Sequence, residues 1–332
     1  MDVLSFFAAE WLGTPAWMWL GFLAIVLALL AFDLGILHKD DREMGISESL
    51  WLSAFYIGFA MLFGVGVWML MGAQSGMEYF TGFFIEKSLS IDNVFVISLI
   101  FGFFAIPPKY QYRALLWGII GVIVLRGVMI GVGAALVQNF SWVLYVFAVF
   151  LILTGIKMML GQEADPDISK NPVVRLARRY MRITPELHDE KFFVRKPDPA
   201  TGKLVTWATP LFLALLVINV ADVIFAVDSV PAIFAITTDT FVVYTANIMA
   251  ILGLRALYFA LAAMVTRFHY LKYALALVLV FIGGKIFIAD LFGLDKLPAW
   301  FSLGVTLAII AGGIAWSLWK TRGEAAHTVA TR

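Results

Sequence analysis

The sequence predicts an all-α polytopic membrane protein with nine transmembrane helices. Three observations predict it: 62% of the 332 residues are hydrophobic and only 14% charged, apolar blocks of roughly 20 residues recur from end to end, and the basic residues between blocks fall on alternate connections. A transmembrane barrel would show short alternating strands instead. With no cysteine, disulfides, thiolate metal sites and thiol redox chemistry are excluded.

The N-terminal MDVLSFFAAEWLG lacks the basic region and small-residue cleavage site of a signal peptide, so residues 17–37 are expected to be a retained first helix. The remaining segments are 50–71, 78–105, 112–137, 142–160, 208–237, 241–265, 271–291 and 298–319, all within one membrane domain spanning 1–332. An odd number of spans puts the termini on opposite sides. One side collects Lys39, Arg42, Lys109, Arg113, nine bases in 161–207, Arg267, Lys272 and three in the tail; the other has Lys296 alone. The positive-inside rule then places the N-terminus outside and the C-terminus in the cytoplasm.

Residues 161–207 form the one substantial loop, cytoplasmic on this topology and too short to bury a core of its own. In SKNPVVRLARRYMR, Pro172 suits a first helical turn. Val173, Leu176, Ala177, Tyr180 and Met181 share a face away from Arg175, Arg178, Arg179 and Arg182. That pattern is a basic helix lying on an anionic inner leaflet. KFFVRKPDPATGKLVTW reads as two short strands around a Pro/Gly turn, and His188, Asp189 and Glu190 are either a metal-sensing cluster or a solvated surface.

Ten charges remain inside the apolar segments: Lys87, Arg126, Lys157, Arg255 and Lys285 with Asp33, Glu86, Asp92, Asp222 and Asp228. Each would cost about 2.5 to 3.5 kcal/mol at a helix centre facing lipid, so they must face one another, water or a ligand. A repeat organises them. Glu86-x5-Asp92-Asn93-Val94 lies over Asp222-x5-Asp228-Ser229-Val230, GIIGVIVLR ending at Arg126 over NIMAILGLR ending at Arg255, and TGIKM around Lys157 over IGGKI around Lys285. Residues 78–160 and 208–291, segments three to five and six to eight, are therefore two copies. An offset of three helices inverts one copy relative to the other, the architecture in which secondary transporters bind substrate near the midplane.

On an unbroken helix a six-residue spacing separates two acids by about 120° and about 9 Å, too far to share one small ion. Either the motif helices break, as Pro231 just after Asp228 allows, or each copy donates one cluster to a common site. Asp92, Asp222, Asp228, Glu86, Asn93, Asn219 and Ser229 offer oxygen donors, while the histidines (38, 188, 269 and 327) fall in cytoplasmic connections or the tail. Such a set suits Mg²⁺, Ca²⁺ or Mn²⁺ over zinc and copper, and lacks intramembrane ligands for haem or iron–sulfur groups. For the bases the expected role is ion pairing that neutralises the acids. Lys87 is either a gate or the partner of Glu86, and Asp33 either the partner of a base or a vestibule ligand.

EKSLSIDNVFV, ADVIFAVDSVPAIFAIT, NIMAILGLRALYF and the FFVRK loop closely resemble the TerC/Alx family of bacterial inner-membrane proteins, over about residues 17 to 320. The resemblance implies a nine-helix inner-membrane protein, tied by name to tellurium resistance, described in places as a membrane-bound redox modulator, and linked in some relatives to manganese export. Motif positions carry over as Glu86, Asp92 and Asn93, then Asp222, Asp228 and Ser229. One departure is Asn219, which stands where the Alx form has Glu, one negative charge fewer near the site. The expectation is a divalent-cation exporter for Mn²⁺, not an enzyme, with no resident cofactor and alternating access, protons competing with metal for the same carboxylates. Its partners are the cation and the anionic leaflet, with no nucleic acid. The rival readings are a membrane redox component that detoxifies tellurite and a structural partner docking through the basic loop.

Overall fold

The computed structural model describes residues 9–35, 45–160, 172–198, 202–262, 271–294 and 297–330, apart from the side chains of residues 34, 35, 92, 262 and 321–330. Asp92 as a ligand, the bases Lys39, Arg42, Lys170, Arg267, Lys296, Arg322 and Arg332, and the histidines His38, His269 and His327 thus lie outside the described side chains.

The chain is an all-helical membrane bundle with two small hairpins. The hairpin β1 (Glu10–Trp11) and β2 (Thr14–Pro15) leads into α1 (Ala16–Gly35), α2 (Ile46–Met71), α3 (Ala73–Phe103), α4 (Pro108–Asn139) and α5 (Val143–Leu160). A short helix α6 (Pro172–Tyr180) and a second hairpin, β3 (Phe193–Pro197) with β4 (Leu204–Ala208), precede α7 (Pro210–Phe234). Then follow α8 (Thr240–Leu252), α9 (Leu254–Ala262), α10 (Leu271–Leu291) and α11 (Ala299–Ala330). Among the described residues seven helices are long and apolar enough to cross a membrane, and an eighth span is added if α8 and α9, bent by 40° about Gly253, count as one. At 31 residues α3 is longer than most of these, but Glu78, Glu86, Lys87 and Asp92 interrupt its apolar run. Exposed Leu23, Leu27, Leu62, Val124, Val128 and Leu153 give the bundle an apolar belt, the surface that lipid tails cover.

Helix starts follow the expected chemistry. Pro108, Pro172 and Pro210 occupy first turns, where a missing N–H costs nothing. The Thr209 hydroxyl accepts from Phe212 N at 3.4 Å, and Asp239 Oδ1 accepts from Phe241 N and Val242 N at 2.9 and 3.2 Å. The hairpin in the basic segment is as the sequence predicts, Phe193 opposite Ala208 and Pro197 opposite Leu204, with Gly202 at φ +66° in the turn. On α6 a different face is used: Val174 and Ala177 are buried, with α6 packed on α7, while Leu176 and Tyr180 point out with the arginines.

The expected break in the motif helices is absent. α3 runs unbroken past Glu86, and α7 carries Pro231 near its end without stopping before Phe234. The bend falls at Gly253, where a Cβ would stand 3.0 Å from Tyr56 Cβ and 2.9 Å from Lys87 Nζ, so a larger residue would require both neighbours to shift.

The three most extensive helix pairings are α5 with α10, α4 with α7, and α3 with α8. Small residues set the first: a Cβ on Gly155 would lie 2.6 Å from the Ala276 carbonyl oxygen, and one on Gly283 2.5 Å from the Ala148 carbonyl oxygen. Seven residues forward on α5 correspond to seven back on α10, so the two helices run antiparallel.

Candidate functional site

Glu86, Arg126 and Asp222 each stand near the midpoint of their helix, α3, α4 and α7, and all three are almost wholly buried. Arg126 is the hub. Its Nε and Nη2 donate to the two carboxylate oxygens of Asp222 at 2.9 and 2.8 Å, a bidentate pair, while Nη1 pairs with Glu86 Oε1. Nη1 also lies 3.3 Å from Ser229 Oγ and 3.3 Å from Asn247 Oδ1. Asn247 on α8 closes the ring by donating from Nδ2 to Glu86 Oε2 at 3.0 Å, and Asn93 Nδ2 donates to Asp222 Oδ1 at 3.3 Å.

The spacing that builds this cluster is seven residues rather than six. Glu86 and Asn93 on α3, and Asp222 and Ser229 on α7, lie two turns apart on one face, so each helix brings an acid and a neutral polar group to the same cluster: Glu86, Asp222 and Ser229 meet the guanidinium, and Asn93 donates to Asp222. One guanidinium between two carboxylates leaves a formal excess of one negative charge. Beside it, the Lys87 ammonium donates to Ala250 O at 3.1 Å, at the carbonyl end of α8, where a cation is favoured. Lys87 thus caps a helix, and its contact is with backbone rather than with a carboxylate.

The other members of the expected set are placed elsewhere. Asp228, a third of a turn around α7 from Asp222, is half-buried against α5, where Thr154 Oγ1 donates to its Oδ1 at 3.4 Å and Lys157 acts on it through space. Asn219 turns its amide back onto Leu215 O at 2.9 Å, and its buried Oδ1 has no hydrogen-bond partner and abuts Gly121 of α4. Asp33 pairs with Arg255, whose guanidinium also lies 4.2 Å from the Tyr112 ring centroid. That assigns Asp33 to the partner of a base. His188, Asp189 and Glu190 diverge: the imidazole meets Glu186 O at 2.9 Å, Asp189 accepts from Tyr110 at 3.4 Å, and Glu190 binds Arg113 at 2.8 Å. Among the described residues no group of three or more His, Asp or Glu is gathered as a metal site.

Sequence reasoning missed Asn247 and underrated Arg126. The signal for Asn247 was available, since an amide in the middle of the apolar TFVVYTANIMAIL needs hydrogen-bond partners that lipid does not supply. What the sequence did not specify is that both acids would reach one arginine.

Four helices therefore converge on a buried, fully hydrogen-bonded polar centre that can hold a cation and now holds Arg126. Comparison with known proteins accords with such a chain. A protein of Rickettsia bellii described as "Uncharacterized membrane protein" is 49% identical over 296 residues, 89% of this chain and 95% of that one. A Myxococcus xanthus membrane protein of the same description is 44% identical over 310 residues, 93% and 94% of the two chains. A Salmonella typhi protein named "Putative membrane-bound redox modulator Alx" is 42% identical over 316 residues, 92% and 95%. No solved structure matches. The model of the integral membrane protein TerC family matches residues 71–325, and with relatives similar over nearly their whole length, the chain belongs to that family.

Proposed function

We propose that the chain is an inner-membrane transporter of divalent cations that exports Mn²⁺. The observation that carries this reading is the meeting of Glu86 and Asp222, acids from equivalent helices of the two copies, on a single buried cation at mid-helix. Carboxylates so placed mark ion pathways more often than scaffolding. Their oxygens, with Asn93, Asn247 and Ser229, form a hard donor set. Arg126 fills the place of the cargo. In the transport cycle metal and Arg126 alternate on Glu86 and Asp222, so entry of Mn²⁺ requires the guanidinium to withdraw.

The proposed topology has nine spans, the N-terminus outside and the C-terminus in the cytoplasm, with α3–α5 and α7–α10 as an inverted repeat. Exchanging the copies converts the pairing of α4 with α7 into that of α3 with α8 and maps α5 with α10 onto itself, which supports the repeat. Gly155 and Gly283, aligned by the sequence repeat, make the same contact with each other's helix. The bases break the symmetry: Arg126 engages the acids, while its counterpart Arg255 is held by Asp33. Such inequality between copies is what an alternating-access protein displays when one gate is shut.

Everted vesicles containing the protein are expected to accumulate Mn²⁺, and Asp222→Asn or Glu86→Gln to reduce accumulation to that of vesicles lacking it, at equal protein content. The name of the Salmonella typhi relative favours a redox role instead. A chain without cysteine needs a bound carrier for that chemistry, so a flavin or haem absorption in purified protein would favour it.

A further inference from the structure

A cavity of about 450 Å³ opens at the helix ends remote from the basic segment, between α3, α5, α7, α10 and α11. Its walls include Gln74, Glu78 and Thr81 of α3, Lys285 and Asp290 of α10, and Ser302 of α11. None of these belongs to the Arg126 cluster. Glu78 lies eight residues before Glu86 on α3, about 12 Å along the axis. Beside the cavity, buried Ile85, Ala232, Ile236, Leu279 and Ile282 belong to one apolar cluster, of which Ile236 also lines the cavity wall.

Glu78 is the anomaly. It is 6% exposed, and among the described residues no base pairs with it. Its Oε1 accepts from the neutral Gln74 amide at 2.6 Å, and its other oxygen has no partner among the described residues, yet is not sealed from the cavity. A carboxylate in such a position lacks a counter-charge. Lys285, 8% exposed on the opposite wall, is engaged by Ser302 Oγ at 3.4 Å, and Asp290 stands exposed at the rim. Among the described residues of its wall, two acids stand against one base, a net negative charge. Thr81 donates its hydroxyl to Met77 O at 2.7 Å, which leaves its lone pairs to a ligand, and Glu78 and Gln74 add further oxygens.

We propose that this cavity is a second divalent-cation station with Glu78 as its charged ligand, two turns along α3 from the Arg126 centre. The proposal rests on the cation-transport reading and makes the station the place where an exported ion pauses on the outer side. A vestibule carrying net negative charge between low-dielectric walls concentrates cations and repels anions.

The absence of cysteine makes the test direct. In full-length protein carrying Ser302→Cys in right-side-out vesicles, the thiol is titrated from outside with a cationic and with an anionic methanethiosulfonate reagent, with and without Mn²⁺. The cationic reagent is expected to react about tenfold faster, Mn²⁺ to slow it severalfold, and Glu78→Gln to remove both effects while Glu78→Asp keeps them. Thr238→Cys, at the same cavity, serves if Ser302→Cys does not reach the membrane. Failure of both reagents to reach the thiol from outside, faster reaction of the anionic reagent, or no protection by Mn²⁺ overturns the proposal. Asp222→Asn separates the two claims: it should abolish transport and leave protection intact. Transport without protection defeats the station alone; protection without transport defeats the exporter and leaves the station standing.

Discussion

Gly155 and Gly283 stand in reciprocal contact, each pressed on a backbone carbonyl seven residues before the other, Ala276 O for Gly155 and Ala148 O for Gly283. Two antiparallel helices repeat their contacts at equal and opposite offsets, and glycine at both positions lets the two backbones approach. Replacing either glycine by Leu should destabilise the protein, since backbone atoms meet the new side chain, and by similar amounts because the contacts are equivalent. Overpacking typically costs about 1–3 kcal/mol. Thermal unfolding in detergent checks this, and a large effect at one glycine with none at the other would count against equivalence.

Arg126 holds Asp222 through two parallel bonds and Glu86 through a third. Arg126→Met strands two buried carboxylates, and removing one partner of a buried pair costs about 3–5 kcal/mol. Arg126→Lys keeps the charge but cannot make the bidentate pair, so its stability should fall between wild type and Arg126→Met. Stability of the three proteins in one detergent at one pH gives the order; Arg126→Met matching wild type would mean the acids are not charged in the folded protein.

Asp33 and Arg255 tie α1 to α9 in the same way. Each single change to Ala should destabilise, and a double-mutant cycle should return a coupling of about 0.5–3 kcal/mol, the range for residues in contact. Strict additivity would show that the pair contributes no mutual energy.

The exposed face of α6 carries Arg175, Arg178 and Arg179 beside Leu176 and Tyr180. In nanodiscs, replacing zwitterionic by anionic lipid should stabilise the wild-type protein, with each arginine near the surface worth about 1 kcal/mol, and the triple Gln variant should lose that gain. An unchanged response would put the helix away from the headgroups.

How far the sequence was legible depends on which force decided each feature. Hydropathy located the seven helices that, among the described residues, are long and apolar enough to cross a membrane, because lipid demands long helices, and the paired motifs picked out Glu86 and Asp222 because charges in lipid are too costly to be accidental. The bend was misplaced. Pro231 marks a weak point, but a proline three residues from a helix end removes little, whereas Gly253 bends because Tyr56 and Lys87 crowd it, neighbours that only packing supplies. The six-residue spacing of the acids drew attention from the seven-residue one, and the seven-residue spacing decides which side chains share Arg126. On α6, periodicity found an amphipathic helix but could not say that α7 would cover Val174 and Ala177. Glu78, the first residue of its segment, was not among the charges singled out, and its burial is a product of packing.

Mn²⁺ accumulation in everted vesicles, measured for wild type, Glu86→Gln and Asp222→Asn at matched protein content, tests the central claim most directly. Accumulation by wild type that falls in both variants to the level of empty vesicles is the expected result. Undiminished accumulation in both would contradict it, because the acids that meet on Arg126 would then have no part in carrying the ion.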